Sequence, residues 1–431
     1  MRIEDKIYPR VLIVSHNVLS PSTNMGKTMV DFFSGWNQSN IAQLYFRNEV
    51  PTSEICKHYF RITDFNMLGS LIKLNYQTDP NQIFQEDSDF QDSIYQMGAR
   101  RKSSGYFFRN LLWQTKLWKT PELMSWIAEY DPEVVFYAAG DYTFSMKIAL
   151  DICHEKDIPL AVYFGDDFYF SGQPQSKLSL FNRTNTKQFR RQFEKLFSYL
   201  STFTAATDKL NDRYSSYFGK KGFAIMNSAK IRKENKIEEK DIKISYIGNL
   251  ILNRWKSLID IGCCLKELGL VLDVYSMEED PKILSQMKPV NGIHFQGGIS
   301  SNLVEKTIKS STIVVHVEGL DTVSKQLTRY SFSTKIGESL GSGVCLFAYG
   351  PAEVASIEYL RQYNVACVCT NKAELQGKLS QILADKQLRQ YYEINALELA
   401  FNRHNSEKNA DLFYKMICDA IYGLQSKNPM E

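Results

Sequence analysis

A single rhythm constrains this chain more than anything else in it. A short β-branched or aromatic run, a polar turn and a helical stretch follow one another along most of its 431 residues. Val11-Leu12-Ile13-Val14-Ser15 is the first such run, and its uniform apolarity suits a parallel strand covered on both faces. Comparable runs stand at 41–46, 134–138, 160–164, 203–206 and 223–226, with helical patterns such as 143–155 and 208–218 between them. After Asn227 a charged, core-poor stretch interrupts the pattern, and the rhythm then restarts at 242–247, 271–275, 292–295, 312–317, 344–348 and 365–369. Repeated β-α alternation builds parallel sheets with helices on both faces.

The expected fold class is therefore α/β, with two Rossmann-like domains facing across a cleft. The first domain is expected over 1–229, a linker over 230–241 and the second domain over 242–409. A C-terminal helix in 410–431 is expected to cross back to the first domain. At this length two cores are the natural outcome. Open α/β sheets bind ligands at the carboxyl ends of their strands, which places the expected site there.

Composition narrows the function classes. The balance of 51 Lys and Arg against 48 Asp and Glu leaves a formal charge of +3, too mild for a dedicated nucleic-acid binder. The mixed-charge start Met1-Arg2-Ile3-Glu4-Asp5-Lys6 has no apolar secretion core, and no run of about 18 apolar residues suggests a membrane span. A cytoplasmic protein is expected. The eight cysteines mostly sit in apolar runs and read as small core residues; they complete no zinc set. Within 100–119, basic and aromatic residues interleave, as in Arg100-Arg101-Lys102 ahead of Tyr106-Phe107-Phe108-Arg109. This pattern suits either peripheral contact with the inner face of the cell membrane or a helix packed on its own domain.

Several motifs could carry chemistry. Ser15-His16-Asn17 ends the first strand, and Asn24-Met25-Gly26-Lys27-Thr28 opens a helix whose start can face an anion. It is not a P-loop, because Pro21 stands where that motif needs its first glycine. Asp87-Ser88-Asp89 has the form of a metal-holding pair but no buried strand before it, so no metal site is expected. Asp166 and Asp167 follow the strand at 160–164, where a carboxylate can take a proton from a hydroxyl or cap the next segment. Arg254 and Lys256 put cations at a helix start, which the helix dipole disfavours unless an anion is near; a phosphate is the expected anion. Ser333 and Thr334 offer donors to a diphosphate. Lys335 and Glu338 share a helix face one turn apart, and the Glu338 carboxylate suits a ribose diol.

The run Ser333-Thr334-Lys335-Ile336-Gly337-Glu338-Ser339-Leu340-Gly341-Ser342-Gly343, a strand, then Gly350-Pro351-Ala352-Glu353 resembles the donor-site signature of family 4-like glycosyltransferases of the GT-B fold, bacterial polysaccharide type. Asn227 at the end of the first half, the restart at Tyr246-Ile247-Gly248-Asn249 and the loop and helix from Thr23 to Phe33 fit the same pattern. The resemblance implies that Glu338 binds the nucleotide ribose and that Gly26 and Gly350 lie at the donor. Where the family carries a second Glu eight residues earlier, this chain has Tyr330, and Glu318 is the carboxylate offered in its place. Asn249 stands in the place of the family's diphosphate-binding Arg, and Arg254 in that of its Lys.

The implied activity is transfer of a sugar from a nucleotide-diphosphate sugar, a UDP-sugar first, to a hydroxyl of a glycan or lipid-linked acceptor. Arg254, Lys335 and Asp166 are the expected catalytic residues. Retention of configuration, no metal and no cofactor beyond the nucleotide-sugar co-substrate are expected. The other readings are a non-catalytic subunit on the same fold that binds glycan or a partner transferase, and a nucleotide-sugar epimerase or hydrolase.

Overall fold

The computed structural model describes residues 6–21, 24–64, 66–67, 103–170, 180–232 and 241–425. Asp87-Ser88-Asp89, Thr23 and Arg100 to Lys102 lie outside them. The chain divides into one unit of Met1–Ala224 with Ala410–Glu431, and a second of Ile225–Asn409.

The first unit holds a seven-stranded sheet: β1 (Val11–Ser15), β2 (Ile41–Tyr45), β3 (His58–Arg61), β4 (Val134–Ala138), β5 (Leu160–Phe164), β6 (Thr202–Ala205) and β7 (Gly222–Ala224). Its order is β3-β2-β1-β4-β5-β6-β7, and its strand pairings are parallel, with Val11 opposite both Ile41 and Val134. Val11 to Val14 have no exposed surface, as a strand between two helical layers requires. Helix Ser406–Gln425 contributes to this core: Phe413 sits against Phe32, Phe33 and Phe136 with ring centroids 4.8–5.0 Å apart.

The second unit holds β8 (Ile244–Ile247), β9 (Leu272–Tyr275), β10 (Ile293–Gly297), β11 (Ile313–Val317), β12 (Cys345–Tyr349) and β13 (Cys367–Cys369), in the parallel order β10-β9-β8-β11-β12-β13. Its core runs from Ile244, Leu258 and Ile261 to Val315, Phe347 and Leu379. The stretch before β8 lies with this unit: the Ala229 N–H donates to His404 O at 2.8 Å and the Arg232 N–H to Gly341 O at 2.8 Å.

In both sheets the order reverses beside the first strand, between β1 and β4 and between β8 and β11. Loops leaving two such strands turn in opposite directions and open a crevice at their carboxyl ends.

One expectation needs correction. Cys263 is exposed, and Cys264 and Cys418 are half-buried, because their helices turn these positions partly toward solvent; the other five cysteines are buried. In the 100–119 segment, Trp113 and Trp118 are buried and Arg109 binds Asp64, so these three residues face their own unit. Among the described residues no helix is long and apolar enough to cross a membrane.

Candidate functional site

The second sheet's reversal point gathers Asn249, Arg254, Glu318 and Gly350. After β8 the chain passes Gly248 and Asn249, then takes two consecutive left-handed residues, Leu252 (φ 55°) and Asn253 (φ 57°), before helix Arg254–Glu267 starts. Left-handed backbone is uncommon away from glycine, so this turn is held by its surroundings. Asn253 donates to Asp321 Oδ2 at 2.7 Å. Burial opposes ionisation of Asp321. The bonds it accepts from Ser324 and Asn253 outweigh that and bring its pKa down to about 2.

Arg254 is the centre of the cluster. Its Nε and Nη2 donate to Glu318 Oε2 at 3.1 and 2.9 Å, and its Nη1 donates to Asn249 Oδ1 at 2.7 Å. Glu318 directly follows β11 and is 1% exposed. The anion meeting this helix-start cation is therefore a carboxylate of the chain, which replaces the sequence argument that the mismatch needs a phosphate. Three of the five guanidinium N–H groups are engaged, and two remain for another acceptor.

The other oxygen of Glu318 is held from behind. Ser356 Oγ donates to Glu318 Oε1 at 3.4 Å and accepts from His316 Nε2 at 3.0 Å. Burial, aided by the Arg254 charge, lowers the His316 pKa to about 3. Its ring is neutral, and the 3.5 Å approach of Nε2 to Glu318 Oε1 is a polar contact rather than an ion pair. Sequence reasoning passed over His316 and Ser356. Only their pairing across 40 positions reveals them.

Gly319 and Gly350 let these loops close up. A Cβ on Gly319 would lie 2.2 Å from Leu252 O, and one on Gly350 would lie 3.0 Å from Glu318 Cβ. Helix Thr334–Ser342 leads into β12 and so starts at the same carboxyl edge. Ser333 is its N-cap, without a side-chain capping bond. Within it Lys335 Nζ donates to Glu338 Oε2 at 2.9 Å, as their one-turn spacing predicts. Asn253 likewise gives helix Arg254–Glu267 no side-chain cap; in these first turns the Arg254, Lys256 and Ile336 N–H groups donate to the carbonyls of Ile251, Asn253 and Ser333. Lys256 is exposed, its Nζ 5.3 Å from the Trp255 ring centre. The structure thus brings Asn249, Arg254, Glu318 and Gly350 into one cluster. Ser333, Thr334, Lys335 and Glu338 form a second group on their own helix.

Gly26 and Asp166 belong to the first unit. Gly26 is buried in the first turn of helix Asn24–Phe32, next to Met25. Met25 Cε would lie 2.8 Å from a Cβ on Gly165, so this helix start packs on the end of β5. Asp166 is exposed, and its Oδ1 accepts from the Asp167 N–H at 2.9 Å. Asp167 does the capping: its Oδ1 accepts from the N–H groups of Tyr169 and Phe170 and from Tyr214 Oη, at 3.0–3.1 Å. The paired carboxylates thus have different tasks, one holding the turn and the other facing solvent.

Among the described residues no group of His, Cys, Asp and Glu is arranged to hold a metal ion.

No family model matches the sequence, and no curated protein does. Solved structures do match the fold. Sucrose-phosphate synthase from Thermosynechococcus elongatus superposes with a TM-score of 0.60 at 10% identity, covering 96% of this chain and all of that one. Trehalose 6-phosphate synthase from Burkholderia multivorans gives 0.62 at 9% identity, covering 99% of each chain. The Anabaena protein Alr3699/HepE, solved in complex with UDP and glucose, gives 0.60 at 9% identity, covering 95% of this chain and all of its own. The fold is that of the GT-B glycosyltransferases: two Rossmann-like units, each built on a parallel sheet. At such identities the likeness is one of fold.

Proposed function

We propose that this protein is a glycosyltransferase that takes a sugar from a nucleotide-diphosphate sugar, a UDP-sugar first, and transfers it to a hydroxyl of a glycan or lipid-linked acceptor. The observation that carries the reading is the cluster of Asn249, Arg254, Glu318 and Gly350 at the reversal point of the second sheet, on a GT-B fold. Two uncapped helix starts and the two remaining N–H groups of Arg254 suit diphosphate oxygens. Breaking the bond between the anomeric carbon and the phosphate oxygen leaves negative charge on the diphosphate. Preorganised donors that meet this charge lower the barrier, and losing one costs about 10²–10³ in rate. Glu318 neutralises Arg254, so in this reading the guanidinium acts as an oriented donor more than as a bare cation. Lys335 supplies a second donor, and Glu338 takes the ribose.

Asp166, exposed at the end of β5, is the proposed group for the acceptor hydroxyl. Retention of configuration, implied by the sequence resemblance, belongs to the same reading, as does independence of metal, since Arg254, Lys335 and backbone amides can meet the charge on the diphosphate. Peripheral membrane contact through 100–119 is a further part of it.

The test is a thermal-shift and calorimetric series with UDP, GDP, dTDP and their sugars. UDP and a UDP-sugar are expected to raise the melting temperature by mass action. Glu338→Ala should weaken donor binding, and Arg254→Ala should lower turnover more than affinity. No stabilisation by any nucleotide would overturn the assignment. A non-catalytic subunit on the same fold is the competing reading, favoured by the carboxylate pairing of both cations. It predicts an intact fold that binds no nucleotide sugar.

A further inference from the structure

Glu318 is gripped through its backbone as well as its side chain. Its N–H donates to Tyr349 O at 3.0 Å, at the end of β12. Its carbonyl oxygen accepts from Ser257 Oγ at 2.8 Å. Its Oε2 takes the two bonds from Arg254, and its Oε1 faces Ser356, with His316 behind. Ser257 is buried and stands one turn after Arg254 in helix Arg254–Glu267, so the two side chains leave the helix on one face. Both end on the same residue, Arg254 on the Glu318 carboxylate and Ser257 on the Glu318 carbonyl.

Nothing in the helix itself calls for this serine. Alanine is the better helix former, and a helical serine commonly turns its hydroxyl onto the carbonyl four residues back. Here the hydroxyl leaves the helix and reaches the residue that follows β11. The consequence is geometric. Arg254 holds only the tip of the Glu318 side chain, whereas Ser257 holds its root. Guanidinium and carboxylate are thereby referred to one rigid helix, and Asn249 Oδ1 holds the far side of the guanidinium at 2.7 Å. The N–H groups of Arg254 that remain are aimed in one direction. Charge on a leaving diphosphate grows as the bond breaks, so the aim of such a donor weighs on turnover more than on binding of the intact donor.

We propose that Ser257 is a positioning residue of the donor site, which aims Arg254 by bonding the backbone of Glu318. The effect on turnover rests on the glycosyltransferase reading; the aiming itself rests on the bonds from Ser257 and Arg254 to Glu318.

Two measurements on the full chain test this. The first is release of UDP from UDP-glucose, UDP-galactose and UDP-N-acetylglucosamine with water as acceptor, for the parent, Ser257→Ala and Ser257→Thr. Ser257→Ala should lower kcat between about tenfold and a hundredfold while KM stays within about threefold of the parent. Ser257→Thr keeps the hydroxyl and should recover most of the loss. The second uses the chain labelled with ¹⁵N at arginine, in which the Arg254 Nε–H signal is identified by its disappearance in Arg254→Lys. That signal should shift and exchange faster with solvent in Ser257→Ala, and return toward the parent in Ser257→Thr. An unchanged kcat, a loss confined to KM, a threonine variant no better than alanine, or an Arg254 signal unmoved by Ser257→Ala would each overturn the proposal. Should the parent cleave none of the three sugars, the Arg254 signal decides the aiming by itself. Failure of UDP to bind the parent would then count against the glycosyltransferase reading instead.

Discussion

Arg254 and Glu318 set the terms at the scale of the residue. Their side chains are 14% and 1% exposed, so each charge depends on the other. Removing one partner of such a pair leaves the other buried and uncompensated, a loss of about 3–5 kcal/mol. Arg254→Ala is therefore expected to destabilise the second unit as well as to slow transfer. Arg254→Met combined with Glu318→Gln should recover much of the stability without the activity. Chemical denaturation of the single and double variants checks this. Equal stability of Arg254→Ala and the parent would show that the pair is solvated and that its bonds carry little. From the sequence, Arg254 stood at a helix start with a phosphate as its expected anion, and Glu318 was offered in place of the family's second Glu. Their mutual bond gives Glu318 a prior role in aiming Arg254.

Loops after neighbouring strands decide the next scale. The β8 and β11 loops meet where Gly319 faces the Leu252 carbonyl, and a methyl group there would overlap it. Gly319→Ala is expected to cost about 1–3 kcal/mol through forced displacement and to weaken UDP binding. Gly377, exposed in helix Leu375–Ala384 with no atom within 4 Å of an added Cβ, is the control. Gly377→Ala should stabilise by about 0.5–1 kcal/mol. Melting temperatures of the two variants should move in opposite directions, and a shared direction would defeat the close-approach argument. Most strands were legible from their apolar runs: 134–138 and 160–164 coincide with β4 and β5. β3 was not, because His58, Tyr59 and Arg61 on an edge strand are partly exposed and break the apolar run. β13 is shorter than its run, since Val365 and Ala366 precede the pairing with β12.

Over the whole molecule, the rings of His16, His316 and His404 couple stability to pH. Burial, the leading cause in each case, lowers His16 and His316 to about 3 and His404 to about 4. The neutral His404 donates from Nδ1 to Asn227 O at 2.8 Å and accepts at Nε2 from Tyr359 Oη at 3.0 Å. The unfolded chain takes up protons at these groups near pH 6.5, while the folded protein does so only at much lower pH. Their contribution is therefore intact above about pH 6.5 and is lost as pH falls toward 4 and 3, each group removing up to about 1.4 kcal/mol per pH unit. Denaturation midpoints at pH 7, 6 and 5 should decline, and His316→Gln and His404→Gln should each flatten the slope. A slope unchanged in both variants would show that these rings are already charged in the folded protein.

Local pattern was enough to establish that this chain alternates strand and helix, that the rhythm breaks once, and that Gly248–Lys256 and Ser333–Glu338 stand at helix starts able to meet an anion. Such features depend on spacing within a few residues, and spacing is what a sequence records. Which loops become neighbours depends on strand order, and that is settled only when β8 pairs with β11 and β1 with β4. The bond between Arg254 and Glu318, the support of Glu318 by Ser356 and His316, and the bond from Ser257 to the Glu318 carbonyl all join residues far apart in the chain. Nothing in the local pattern marks them, because the desolvation that gives these charges and rings their character exists only once the sheets have closed around them.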